Sequence, residues 1–310
     1  MSHPIVTRDD ILDAASRIEP YVRRTPILAL GDAMGSGFNL TLKLDQLQPT
    51  GSFKVRGAFA ALTAIHDPPP VVVAASGGNF GLAVAHAAER LGVSATIFVP
   101  DTSPTEKVGK IEAFGVTLEV VSGYYAEALA ASLEFASESG AVAVHAYDQV
   151  EVMAGQGTCG REILDQVPDA SMVLVAVGGG GLIGGIATWI GDRARVVAVE
   201  SEECPTWYEA RRAGHPVDVE IRPGSATSSL GASRVGDIPW AASEWVADSY
   251  LVGDREILDA QSWLWETARI VAEPSACVPI GALRSGIVAP AAGDEVVALI
   301  SGANTAVTFN

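Results

Sequence analysis

Apolar runs of strand length alternate with segments of helical periodicity along most of the chain. We predict buried strands over Val71–Ala75, Ala95–Val99, Val116–Val121, Ala141–His145, Met172–Val177, Val196–Val199 and Val296–Ile300. Helices are predicted over Thr7–Ile18, Phe80–Leu91, Thr105–Phe114, Ala126–Ser139, Val152–Gln166, Leu182–Ile190 and Pro205–Ala213. Parallel strands that are buried on both faces show continuous apolar runs. The pattern therefore predicts an α/β fold, with mostly parallel sheets and helices on both faces.

Two breaks in this pattern suggest a division into domains. Pro68–Pro70 precedes the first predicted strand, and Tyr147–Val150 follows the fourth. We expect a small domain of residues 70–147, placed between the two parts of a large domain formed by residues 1–69 and 148–310. The stretch Gly214–Trp240 is rich in Gly, Pro and Ser, which is typical of irregular structure.

Composition narrows the classes of partner. The 310 residues are 48% hydrophobic and carry a net charge of −17, which argues against nucleic acid or an anionic membrane as a partner. An anionic ligand would therefore need local backbone dipoles. No apolar run is long enough to span a bilayer, and the first ten residues lack the apolar segment of a signal peptide. With three widely spaced cysteines, we expect a cytoplasmic protein with free thiols.

Lys54 stands at the start of a predicted helix, between Phe53 and Val55. A lysine in that position is usually a solvated surface group, and the helix dipole disfavours a cation there. The same dipole, together with burial, lowers the pKa of an amine, as a nucleophilic lysine requires. The segment alone leaves both interpretations open.

Two glycine-rich loops each follow a strand and open a helix. Ser76-Gly77-Gly78-Asn79 could bind an anion such as a carboxylate through its amides, or could be a tight turn capped by Asn79. The run of four glycines, Gly178 to Gly181, suits a backbone that wraps a phosphate. A dinucleotide-binding loop remains an alternative, because Gly179, Gly181 and Gly184 have its spacing and Glu200 is an acidic residue at a suitable distance.

Taken together, these segments resemble the β-family (fold type II) of pyridoxal-phosphate enzymes. The resemblance covers essentially the whole chain and rests on the order of a set of motifs. They are Thr25-Pro26, the run from Gln48 to Gly57, the two glycine loops, Ala154-Gly155-Gln156-Gly157-Thr158, Glu273-Pro274-Ser275 and Ser301-Gly302. The nearest branch is similar to threonine and serine dehydratases, with serine racemase as a close relative. The resemblance implies two open, twisted, mostly parallel sheets, as in the β subunit of tryptophan synthase.

The resemblance also implies an activity and a set of roles. The enzyme would use pyridoxal 5′-phosphate to dehydrate and then deaminate L-threonine, L-serine or a similar β-hydroxy amino acid. Lys54 would bond the cofactor as a Schiff base and act as the base at Cα. The large domain would bind the cofactor, through Phe53, Lys54, Gly178, Gly179, Gly180, Gly181, Leu182 and Ser301, and Asn79 of the small domain would contact it as well. The substrate would contact Ser76, Gly77, Gly78, Asn79 and Phe80. The assembly implied is a homodimer or homotetramer.

Several positions depart from the relatives. Racemases carry a second serine where this chain has Gly77, so we expect weak racemisation, and many relatives carry His in place of Phe80. Metal-binding relatives have a glutamate at the position of Glu200 and an aspartate six residues later. This chain has Thr206 at the second position, so we expect no metal site. Because the sequence ends at Asn310, we expect no regulatory domain and a catabolic role. A racemase or hydroxyaspartate ammonia-lyase of the same fold, a β-replacement enzyme, a non-enzymatic binding protein and a nicotinamide dehydrogenase are the alternatives.

Overall fold

The computed structural model describes residues 5–65 and 71–306 and contains two sheets. The strands are β1 (Ile27–Gly31), β2 (Asn39–Leu44), β3 (Val72–Ala75), β4 (Ala95–Pro100), β5 (Thr117–Val121), β6 (Val142–Ala143), β7 (Met172–Ala176), β8 (Arg195–Ser201), β9 (Val246–Val252) and β10 (Glu295–Ile300). The helices are α1 (Arg8–Ile18), α2 (Lys54–Thr63), α3 (Asn79–Leu91), α4 (Thr105–Glu112), α5 (Tyr125–Ser139), α6 (Val150–Gln166), α7 (Gly181–Ile190), α8 (Thr206–Ala213), α9 (Thr227–Leu230), α10 (Asp237–Trp240), α11 (Asp254–Ala268) and α12 (Pro274–Arg284).

The larger sheet has six strands in the order β1-β2-β10-β7-β8-β9. Every neighbouring pair is parallel except β1 with β2, which is antiparallel. Successive residues of β7 point to opposite faces, so that Leu174 joins the apolar cluster around α11 and α12, whereas Val173 and Val175 join the cluster around α7 and α8. Both faces are therefore covered, which explains the continuous apolar runs.

The smaller sheet has four parallel strands in the order β5-β4-β3-β6. All four strands lie within residues 72–143, and α3, α4 and α5 connect them. Because parallel strands all end at the same edge, the loops that follow β3 and β4 lie side by side. These two loops carry Ser76 to Gly78 and Asp101 to Pro104.

The sequence pattern locates most of these elements. The seven predicted strands are present, although the fourth is shorter than expected, because β6 comprises only Val142–Ala143. Gly214–Trp240 is irregular apart from the short helices α9 and α10, as expected. The domain boundary expected at Pro68–Pro70 lies outside the described residues. In the part of the chain that the structure describes, no helix is long and apolar enough to cross a membrane.

Candidate active site

Lys54 lies at the first position of α2, and its amine points into the protein. Nζ donates a hydrogen bond of 2.9 Å to the carbonyl of Ala146. It also lies 5.2 Å from the centre of the Phe53 ring and 5.6 Å from that of Phe80. Burial lowers the pKa of Lys54 from 10.5 to about 8, while the nearby carboxylate of Glu273 acts in the opposite direction. About a tenth of the amine is therefore neutral and nucleophilic at pH 7, far more than for a lysine of ordinary pKa.

A buried ionic cluster fixes the helix that carries Lys54. Arg56, two residues along α2, donates to both carboxylate oxygens of Asp45, at 2.9 and 2.7 Å. The same guanidinium donates to both oxygens of Glu162 on α6, at 2.8 and 2.9 Å. Lys43 on β2 also binds Glu162, at 2.5 Å. Since planar, two-pronged pairs fix orientation as well as distance, the start of α2 is tied to both β2 and α6.

The glycine run between β7 and α7 forms a turn with free amides. Gly180 has a φ of 92°, in the left-handed region that favours glycine. The amides of residues 179–182 make no hydrogen bond to any group in the described ranges. A Cβ at Gly179 would lie 2.4 Å from the Tyr147 ring, so a side chain cannot be added there. Amides of this kind at the start of a helix suit a phosphate.

Lys54 and this turn belong to one site, because the same short segment contacts both. Ala146 accepts the hydrogen bond from Lys54, and the next residue, Tyr147, packs on Gly179 and Gly181. Burial raises the pKa of Tyr147 to about 12, so its phenol remains neutral. The segment Ala146–Tyr147 therefore contacts both the Lys54 amine and the glycine turn of residues 178–181, which we call the phosphate turn.

A buried glutamate, Glu200, supports the phosphate turn through Thr206. Glu200, at the end of β8, accepts hydrogen bonds of 2.7 Å from the amides of Trp207 and Tyr208. Thr206 places its hydroxyl 3.1 Å from Glu200 and donates 2.6 Å to the carbonyl of Gly178. Burial raises the pKa of Glu200 to about 8. Because this carboxyl group is enclosed and used internally, it cannot bind a ribose, and the dinucleotide interpretation loses its acidic residue.

Helix α3, which follows the loop after β3, has a different N-cap residue from the one considered in the sequence. The N-cap of α3 is Gly78 and not Asn79, so the interpretation of Asn79 as a capping residue is wrong. Asn79 instead donates 2.8 Å to Glu273 and accepts 2.8 Å from Asn304. The Ser76 hydroxyl accepts the amide of Gly78 at 3.2 Å. The amides of Gly77 and Asn79 have no partner among the described residues, so they can bind a carboxylate.

Ser301, directly after the last strand, β10, lies next to the segment that carries Lys54. Its carbonyl accepts the amide of Phe53 at 2.9 Å, which joins the end of β10 to the residue before Lys54. The Ser301 side chain is buried, and its hydroxyl has no hydrogen-bond partner within the described ranges. Phe80 is buried on α3, facing the Lys54 amine. The structure thus gathers the predicted residues of all four segments.

Four residues in this site were given no role by the sequence. Ala146 and Tyr147 follow a short strand, and nothing in their local pattern marks them. Glu273 precedes a proline at a helix start, where its acidic side chain resembles an ordinary surface residue. Its carboxyl group is instead buried, which raises its pKa, and it orients Asn79. Asn304 bridges Asn79 and the carbonyl of Thr50. Only long-range contacts reveal these roles.

These features fit a phosphorylated aldehyde cofactor. The site combines a buried amine of lowered pKa, a turn of free amides for an anionic ester, and a neutral hydroxyl at Ser301 for a ring nitrogen. Asn79 uses one of its two amide hydrogens on Glu273, which leaves the other for an acceptor on the ring. No set of three or more His, Cys, Asp or Glu side chains within residues 5–65 and 71–306 is arranged to hold a metal ion.

Comparison with known proteins agrees with this geometry. The family model described as "Pyridoxal-phosphate dependent enzyme" matches residues 18–302. The L-threonine ammonia-lyase of Thermotoga maritima is 34% identical over 308 residues, covering 97% of this chain and 76% of the relative. The catabolic L-threonine dehydratase TdcB of Staphylococcus aureus is 35% identical over 318 residues, covering 98% and 90%.

Solved structures give the same result for the fold. Maize serine racemase superposes with a TM-score of 0.91 at 30% identity, covering 98% of this chain and 95% of that one. The serine racemase of Dictyostelium discoideum superposes with a TM-score of 0.90 at 28% identity, covering 97% and 99%. The predicted fold, two mainly parallel sheets of the type II class, is confirmed.

Proposed function

Because this chain belongs to the pyridoxal-phosphate-dependent enzymes, we propose that it is an ammonia-lyase that dehydrates and deaminates L-threonine or L-serine. The products are a 2-oxo acid and ammonia. The observation that carries the proposal is the position of Lys54. Its amine points inward onto the carbonyl of Ala146 and has a lowered pKa, and the next residue, Tyr147, packs on the glycines of the phosphate turn. The similarity to threonine ammonia-lyases over nearly the whole chain supports the reaction.

The chain's residues divide the work between binding and proton transfer. When bound, pyridoxal phosphate supplies a conjugated ring that withdraws electrons from the Cα of the amino acid. Lys54 would hold the cofactor through its amine and, with that amine free, would take the proton from the substrate Cα. The amides of residues 179–182 would hold the phosphate, and the Ser301 hydroxyl would hydrogen-bond the ring nitrogen. The amides of Gly77 and Asn79 bind the substrate carboxylate and so present Cα to Lys54.

Ser301 is relevant to the outcome at Cβ. The neutral Ser301 hydroxyl would not hold a proton on the ring nitrogen as a carboxylate would, so a bound cofactor would stabilise negative charge at Cα less. Loss of the group on Cβ would then be faster than reprotonation, which would favour elimination over transamination. Hydroxide is a poor leaving group and needs a proton from a nearby acid.

Wider features of the enzyme are also part of the proposal. We propose a small domain of residues 70–147 and a large, cofactor-binding domain of residues 1–69 and 148–310. This division is supported by the four-stranded sheet, which lies wholly within Val72–Ala143. We propose a cytoplasmic homodimer or homotetramer, and three buried free cysteines are compatible with a reducing compartment. Light scattering after size-exclusion chromatography measures the assembly.

The test is a substrate panel on protein saturated with pyridoxal phosphate. L-threonine and L-serine should release 2-oxo acid and ammonia, and Lys54→Ala should lose both this activity and the visible absorption of the lysine-bound cofactor. Chiral analysis of recovered serine and an assay with 3-hydroxyaspartate separate the racemase and hydroxyaspartate alternatives. A cofactor-saturated wild-type protein that releases no 2-oxo acid from any of these substrates would refute the proposal.

A further inference from the structure

Ser103 lies against the loop that we assign to the substrate carboxylate. Strands β3 and β4 are parallel neighbours, with Ala75 opposite Phe98, so the segments that follow them run side by side. A Cβ built on Gly77 would overlap the Ser103 hydroxyl and lie 2.6 Å from Ser103 Cβ. The Ser103 side chain thus occupies the volume that a side chain at position 77 would fill.

The backbone around Ser103 is fixed and faces the site. The amide of Ser103 donates 3.0 Å to the carbonyl of Pro100, which closes a turn directly before α4. Lys107, in the first turn of α4, is close enough to act electrostatically on Glu273. Since Glu273 binds Asn79, the segment from Ser103 to Lys107 borders the carboxylate loop and does not turn away from it.

The Ser103 hydroxyl has no hydrogen-bond partner in residues 5–65 and 71–306, and the residue is only partly exposed. The unpartnered amide of Gly77 lies beside it, and that of Asn79 is two residues further along the loop. The hydroxyl packs on Gly77, and together with the free amides of Gly77 and Asn79 it offers a donor set suited to a carboxylate, which accepts several hydrogen bonds at once.

We propose that Ser103 is a substrate-binding residue, which donates its hydroxyl to the carboxylate of the amino acid and compensates for the missing side chain at Gly77. This inference rests on the proposed function, because it assigns the loop to the substrate carboxylate. It adds a determinant from the β4–α4 segment, which no motif in the sequence marks.

Equilibrium binding tests the role without relying on turnover. L-alanine lacks a leaving group on Cβ, so its dissociation constant and that of L-alaninamide can be measured on the holoenzyme by calorimetry. Ser103→Ala should weaken L-alanine binding by about tenfold or more, as expected for a hydrogen bond to a charged group. The amide, which has no carboxylate, should change much less. Thr102→Ala is the matched control, since its hydroxyl bonds the carbonyl of Gly123, and it should alter neither ligand.

A second pair of variants tests the shared volume. Gly77→Ala should weaken L-alanine binding because its Cβ meets Ser103, and Gly77→Ala combined with Ser103→Gly should recover part of that loss. Equal binding of L-alanine by Ser103→Ala and wild type would overturn the inference, and so would an equal loss for acid and amide. If wild type instead releases no 2-oxo acid from threonine or serine, the proposed function fails, whatever Ser103 does.

Discussion

Lys54 illustrates how catalysis and stability oppose each other at a single residue. Its pKa falls from 10.5 to about 8 in the folded protein. Between these values the unfolded chain binds a proton that the folded chain does not, so the free energy of unfolding rises with pH across this window. Below it, the buried charge destabilises the cofactor-free protein, and above it the destabilisation disappears.

Lys54→Met is therefore expected to stabilise the cofactor-free protein near neutral pH. Removing the charge that burial disfavours should raise the free energy of unfolding by up to about 3 kcal/mol. The gain should shrink as pH rises from about 8 to 10.5 and then vanish. Urea denaturation at several pH values measures it. The control is Lys110→Met, which removes an exposed ion pair and should have little effect. A gain independent of pH would contradict the argument.

Thr206 is a second residue whose role is specific to its hydroxyl, which links the carbonyl of Gly178 to Glu200. Thr206→Val keeps the shape but leaves the carbonyl of Gly178 without its donor and removes the hydroxyl beside Glu200. We expect the dissociation constant of pyridoxal phosphate to rise about tenfold, since such a loss costs about 1–3 kcal/mol. Thr206→Ser should bind like wild type. Titration of the cofactor-free variants, followed by visible absorbance, measures both constants, and an unchanged constant for Thr206→Val would contradict the assignment.

The same hydroxyl bears on metal dependence. Because Thr206 links Gly178 and Glu200 directly, no divalent cation is needed to hold these two groups together. We expect the holoenzyme to keep its activity after dialysis against EDTA. A loss of activity that a divalent cation restores would show that this expectation is wrong.

At the scale of elements, the position of Lys54 depends on how closely α2 packs on α6. A Cβ at Gly155 of α6 would lie 2.6 Å from both the Cβ of Ala60 and the carbonyl oxygen of Arg56. The helices can approach this closely only because α6 has glycine at the crossing. The ionic cluster of Arg56 and Glu162 joins the same two helices.

Gly155→Ala is expected to destabilise the protein by about 1–3 kcal/mol, because the added methyl group overpacks the crossing. It should also lower activity, since α2 carries Lys54. Thermal unfolding and the threonine assay measure the two effects. Gly109→Ala on α4 is the matched control, with nothing within 4 Å of the added Cβ, and should be neutral or slightly stabilising. Equal stability of the two variants would exclude overpacking at position 155.

The elements also show what the sequence can predict. Strands such as β4 and β7 are continuous apolar runs, so their existence and approximate bounds follow from the pattern. The pattern misses β1, β2 and β9, and polar residues such as Thr41, Lys43 and Asp248 interrupt the last two. Lys43 is buried yet charged, which is possible only because Glu162, far away in the sequence, pairs with it.

The residues of the site also fall into those that the sequence locates and those that only the fold reveals. Lys54, Asn79, the four glycines and Ser301 stand in local motifs, so a resemblance of motifs is enough to locate them. Glu273 and Tyr147 contribute through contacts with residues distant in the sequence, and their immediate neighbours do not indicate it. For Asn79, one of the local alternatives is wrong, because a helix cap is indistinguishable from a side-chain bond to Glu273 until the fold is known.

At the scale of the whole molecule, net charge opposes the arrival of an anionic cofactor. The chain carries −17, while only local amides attract the phosphate. Long-range repulsion is weakened by salt, whereas the short-range contacts within the site are weakened much less. The two contributions can therefore be separated by ionic strength.

We expect added salt to speed the reconstitution of cofactor-free protein with pyridoxal phosphate. The association rate should rise severalfold as the Debye length shortens from about 30 to about 8 Å. Stopped-flow absorbance measures the rate. Pyridoxal, which lacks the phosphate, is the control and should show little dependence on salt. A rate that falls with salt for the phosphate ester would mean that attraction, and not repulsion, governs its approach.

The overlap of Gly77 and Ser103 also bears on how this enzyme could diverge. Any larger residue at position 77 collides with the existing serine, so that single change is disfavoured while Ser103 is present. A lineage would first have to shorten position 103 and only then enlarge position 77. The two sites form an epistatic pair, and the order of mutation decides which descendants are accessible.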